Sequence, residues 1–99
     1  MSTFILLMKL TEQGIKRIKE APGRVEQGIK AWEAMGGKMT CFYAVMGEYD
    51  YIAIGEAPND EVATTFSLAL SSLGNVKTTT LRAFTKEQFA EMVKRVVIS

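Results

Sequence analysis

Between residues 3 and 10 the chain reads Thr-Phe-Ile-Leu-Leu-Met-Lys-Leu, and both alternating sets are apolar. Phe4, Leu6, Met8 and Leu10 fall on one side of an extended chain, Ile5 and Leu7 on the other. A strand of that kind belongs in the middle of a sheet that is covered twice. Thr11 then opens a helical segment carrying Ile15 and Ile18. It meets Ala21-Pro22-Gly23, where a proline without a backbone donor predicts a break or kink. Val25, Ile29 and Trp32 recur at helical spacing in the next segment, which Gly36-Gly37 closes. Two apolar strands follow, 38–46 and 51–56, joined by the polar turn Gly47-Glu48-Tyr49-Asp50.

The second half repeats the alternation of helix and strand. Ala57-Pro58-Asn59-Asp60-Glu61 is a helix start, with a polar cap and acidic residues at the positive end of the dipole. That helix extends to about Leu73 on a stripe of Val62, Phe66, Leu70 and Leu73, and Gly74-Asn75 stops it. Residues 76–84 have the β-branched content of a strand, and Thr85-Lys86-Glu87-Gln88 is a capping box. It opens a last amphipathic helix on Phe89, Met92, Val93 and Val96.

Strand, helix, strand, strand, helix, strand predicts an α+β fold, the ferredoxin-like βαββαβ arrangement with a four-stranded antiparallel sheet and an added C-terminal helix. Its right-handed crossovers put both long helices on one sheet face. The other face stays bare, yet Ile5 and Leu7 of the first strand and either side of Tyr51-Ile52-Ala53-Ile54 are apolar. A second copy packing sheet to sheet is the expected cover, so a homodimer, or a higher oligomer built on it, is expected.

Composition narrows the chemistry. The 99 residues make one domain, spanning 1–99, with a core large enough to fold without metal or disulfide staples. No histidine is present, which excludes imidazole catalysis and histidine-held metals. The single cysteine, Cys41, allows no internal disulfide and reads as an inert buried thiol in a reducing, cytoplasmic setting. A net charge of +1, with basic residues dispersed, argues against nucleic acid and membrane surfaces as partners. Met1 to Leu10 reads as a strand and not a targeting segment, and neither cofactor nor metal is expected.

The stretch GEYDYIAIGEAPNDE, followed by SLGNVKTTTLRAFT, resembles the GYD domain family, whose signature this chain meets as Gly47, Tyr49 and Asp50. TEQGI at 11–15 and the stretch from Trp32 to Gly37 fit the same pattern. The resemblance implies a small bacterial or archaeal protein of the dimeric α/β-barrel kind and carries no established activity. Gly55 stands where that pattern leads one to expect a larger residue.

Five residues are candidates for ligand binding: Trp32, Tyr43, Tyr49, Asp50 and Arg82. Tyr49 and Asp50 can act as a phenol beside a carboxylate, or Asp50 can serve the turn while Tyr49 packs over the sheet end. Arg82 shares a strand face with Thr78 and Thr80 and needs a carboxylate, with Glu56 or Asp50 as the expected partner. It is then an anion clamp, an intersubunit ion pair or an edge-strand guard. Ala53 and Gly55 leave shallow space on one face of their strand, to be filled by helix packing or kept as a cavity lined by Trp32, Tyr43 or Phe66. Met8, Met39 and Met46 are strand methionines that suit an adaptable pocket or a core filler. The reading this favours is a small homodimeric domain that binds a small, mainly apolar molecule or a protein partner. The alternative is a cofactor-independent oxygenase or isomerase acting on an aromatic or polyketide-like substrate.

Overall fold

A computed structural model describes residues 1–98. Its elements run β1 (Ser2–Leu10), α1 (Glu12–Lys16), α2 (Ala21–Ala34), β2 (Lys38–Ala44), β3 (Tyr51–Ala57), α3 (Asp60–Ser72), β4 (Val76–Ala83) and α4 (Lys86–Lys94), with a 3-10 turn at Ile18–Glu20 before α2. The four strands form one sheet in the order β2-β3-β1-β4, with every neighbouring pair antiparallel. This is the α+β ferredoxin-like arrangement expected from the element order, and β1, apolar on both sides, lies inside it. The helical run breaks as expected between α1 and α2, through Arg17 and the 3-10 turn, and Pro22 lies just beyond that break. It occupies the first turn of α2, where its missing N–H has no intrahelical partner to lose.

Register sorts the side chains by face. Phe42, Ala53, Leu6 and Thr80 form one rung across the sheet beneath α2 and α3. Ser67 on α3 shares a 2.5 Å hydrogen bond with Thr80, and Ser71 a 3.3 Å bond with Thr78, which stitches that helix to the edge strand. The core is built around Trp32, which is wholly buried and meets Phe4 and Phe66 edge to face at 6.4 and 5.0 Å. Its indole N–H donates to the Glu56 carbonyl at 3.0 Å. The ring lies so close to the chain that a Cβ on Gly55 would come within 2.9 Å of Nε1, and one on Gly37 within 2.5 Å. Gly55 thus stands where a larger residue is expected because Trp32 takes the space above it.

The opposite face carries two apolar rungs, Tyr43-Ile52-Leu7-Thr79 and Cys41-Ile54-Ile5-Leu81. Ile5, Leu7, Ile52 and Ile54 are half-buried by their neighbours alone, and Tyr43 and Leu81 are exposed. No helix among the described residues covers them. Helix α4 starts from the expected capping box, with Thr85 Oγ1 accepting from Gln88 N–H at 3.0 Å and Gln88 Oε1 accepting from Thr85 N–H at 2.8 Å. None of its side chains is buried. It stands off the body, which accounts for a radius of gyration of 15.4 Å against roughly 13 Å for a compact chain of this length. No described helix is long and apolar enough to cross a membrane.

Candidate functional site

A cleft of about 750 Å³ opens between α2, α3 and the helix-bearing face of the sheet. Leu6, Met8, Ala53 and Val76 form its floor, and Phe66 and Leu70 of α3 one wall. Phe42 and Tyr51, whose rings lie 5.2 Å apart, close the side toward β2. The volume lies within the range of small-molecule pockets, and the lining is mostly apolar as such pockets are.

Its two charged groups, Arg17 and Arg24, lie where α1 gives way to α2. Arg24 is half-buried, and its guanidinium donates from Nη1 to the Arg17 carbonyl at 3.1 Å and from Nη2 to the Gly14 carbonyl at 3.2 Å. Those two carbonyls fix its position, while three of its five donors remain available. Arg17 is engaged with Glu20 through Nε at 2.8 Å and Nη2 at 3.0 Å. The hydrogen bond and charge of Arg17 hold the Glu20 carboxyl below its ordinary range, and the charge of Arg24 adds a smaller push in the same direction. Arg17 is thereby neutralised. Arg24 has no carboxylate within 4 Å among the described residues, which leaves a positive group at the cleft without a direct counterion.

The five residues singled out in the sequence fall in three places. Trp32 and Arg82 flank Phe4 near one end of β1, with Arg82 5.8 Å from the Phe4 ring. Arg82 pairs with Asp60 at 3.5 Å, not with Glu56 or Asp50, because register places its side chain on the helix-bearing face beside the start of α3. It also lies 4.6 Å over the Phe84 ring and donates to the Ala83 carbonyl at 2.6 Å. Tyr49 and Asp50 sit at the other end of β1. Asp50 Oδ2 accepts from the Leu10 N–H at 2.8 Å while its own N–H donates to the Met8 carbonyl at 2.9 Å. Tyr49 lies under Lys9 at 5.7 Å. Tyr43 lies on the open face.

None of these five lines the cleft, although Phe66 does. The reason for Tyr43 is a β-bulge between Met39 and Cys41. Strict alternation would place Met39, Cys41 and Tyr43 together, but the extra residue turns Cys41 and Tyr43 to the open face and Phe42 toward the helices. Trp32 fills space in the core instead of bordering a void. The residues that sequence reasoning passed over are Arg24 and Gly28, four apart on α2 and hence on one face. A glycine inside a helix, one turn from an arginine beside an apolar stripe, was the available signal. Among the described residues no cluster of three or more potential metal ligands occurs.

The GYD domain model matches residues 4–93. A relative from Thermus thermophilus, named glutamine synthetase and cystathionine beta-lyase binding protein, is 36% identical over 84 residues, covering 84% of this chain and 88% of that protein. The crystal structure of TTHA0845, also from Thermus thermophilus, is similar in fold, with a TM-score of 0.56 and 24% identity over 86% of this chain and 95% of that one.

Proposed function

The chain belongs to the GYD domain family, and from that premise we propose that it is a homodimeric protein-binding module whose two copies cover each other's open sheet face. The observation that carries the dimer is the pair of apolar rungs through Ile5, Leu7, Ile52 and Ile54, flanked by Leu81 and Tyr43. Fully burying four such side chains is worth about 6–12 kcal/mol per subunit, and their existing half-burial reduces this to roughly 3–6. Doubled across a two-fold axis, that is comparable with the cost of association, about 4–15 kcal/mol, so Leu81 and Tyr43 must contribute as well.

The protein partner is supported by the name of the Thermus relative and by α4. Phe89, Met92 and Val93 of α4 recur at helical spacing and are 61%, 41% and 50% exposed, a stripe suited to a groove on another protein, while Val96 falls beyond the end of the helix instead of on it. Metabolic enzymes of the two classes in the relative's name are the partners to test. Immobilised chain is expected to retain glutamine synthetase or cystathionine beta-lyase from the same cell. Phe89→Glu with Met92→Glu abolishes capture and leaves the dimer intact, whereas Ile54→Lys splits the dimer. If the α4 variant dissociates the dimer instead, that helix belongs to the subunit interface. If neither enzyme is retained, the partner assignment is wrong.

A second reading, binding of a small and mainly apolar molecule, is favoured by the cleft. No observation favours the oxygenase or isomerase, since Trp32 and Arg82 lie at the opposite end of β1 from Tyr49 and Asp50.

A further inference from the structure

We infer that the cleft between α2, α3 and the sheet takes an apolar monocarboxylic acid, its carboxylate on the Arg24 guanidinium and its body passing Gly28 toward Met8 and Phe42. The inference rests on the small-ligand reading of the cleft and names its chemistry.

Two independent features point to it. Arg24 is held in place by two backbone carbonyls, keeps unused donors and lacks a carboxylate within 4 Å among the described residues, while its neighbour Arg17 is already matched by Glu20. A positive group poised at an apolar pocket selects a ligand that brings one negative charge on a hydrophobic body. Gly28 is the second feature. It lies in the middle of α2, where glycine is less favourable than alanine by roughly 0.5–1 kcal/mol. Nothing in the chain requires it, because a Cβ built there meets no atom within 4 Å. The missing side chain instead widens the cleft one helical turn from Arg24, where the body of such an acid would leave its carboxylate.

Decanoate and 1-decanol serve as probes, titrated into the full-length chain by calorimetry at concentrations below micelle formation. The expected result is saturable binding of one decanoate per subunit, tighter than decanol. Arg24→Gln weakens decanoate on the order of tenfold or more and leaves decanol unchanged, the separation that a charge-assisted contact gives. Gly28→Leu narrows the cleft one turn from Arg24 and weakens binding of both probes while the melting temperature holds or rises. Equal binding of the two probes, or equal weakening of both by Arg24→Gln, overturns the acid and keeps the small-ligand reading. Absence of binding by both probes, or binding of both that Gly28→Leu leaves unchanged, overturns both readings.

Discussion

Gly55→Ala runs against local propensity, and so it tests the packing around Trp32. In a strand interior the added methyl ordinarily helps, by roughly 0.5–1 kcal/mol. Here the new Cβ would lie 2.9 Å from Trp32 Nε1, 3.1 Å from Trp32 Cε2 and 3.1 Å from the Lys38 carbonyl oxygen. The ring is wholly buried between Phe4 and Phe66, and its N–H is committed to the Glu56 carbonyl, so it has no free direction in which to yield. Overpacking of this kind costs about 1–3 kcal/mol, and displacing a buried N–H from its acceptor adds about 1 kcal/mol or more. Less the propensity gain, the net loss of about 1–3.5 kcal/mol corresponds to a fall in melting temperature on the order of 5–25 °C for a chain of this size. Calorimetry at one fixed protomer concentration is the assay, because association shifts the apparent midpoint. Combining Gly55→Ala with Trp32→Leu removes the indole atoms that clash, so the double variant should be more stable than the sum of the single losses by about 1 kcal/mol or more. A neutral or stabilising Gly55→Ala, or strict additivity with Trp32→Leu, would refute the close approach.

Two further outcomes follow from the geometry. Asp50→Ala leaves the Leu10 N–H without its carboxylate acceptor and should lower stability in urea by about 1.5–3 kcal/mol; an unchanged midpoint would remove the turn role of Asp50. Thr85→Ala weakens the α4 cap by about 1 kcal/mol, and because no α4 side chain is buried in the chain, helical circular dichroism should fall at an unchanged melting temperature. A matching fall in melting temperature would show that α4 is packed.

The fold was legible because local signals agreed with one another. β1 is apolar on both sides, the turn at 47–50 separates two strands, and Asn59 and Thr85 cap α3 and α4 as their sequence contexts suggest. The cleft was not legible, because its volume depends on how far α2 stands from α3, a tertiary quantity that no window of sequence carries. Pattern reasoning went astray at two kinds of position. In β2 one bulge moved Tyr43 away from the helices, since a single added residue reverses every side chain after it. At Arg82 the expected acidic partners, Glu56 and Asp50, lie on β3 and in the turn before it, whereas Asp60 arrives from the first turn of α3.

In the proposed homodimer, the sheet face carrying Ile5, Leu7, Ile52 and Ile54 is buried by a second copy. Sedimentation equilibrium across a dilution series tests it most directly. The account predicts a species of twice the 11.0 kDa chain mass at micromolar concentration, reduced to single chains by Ile54→Lys. A wild-type chain that sediments as a monomer throughout, or an Ile54→Lys chain that remains a dimer, would contradict it.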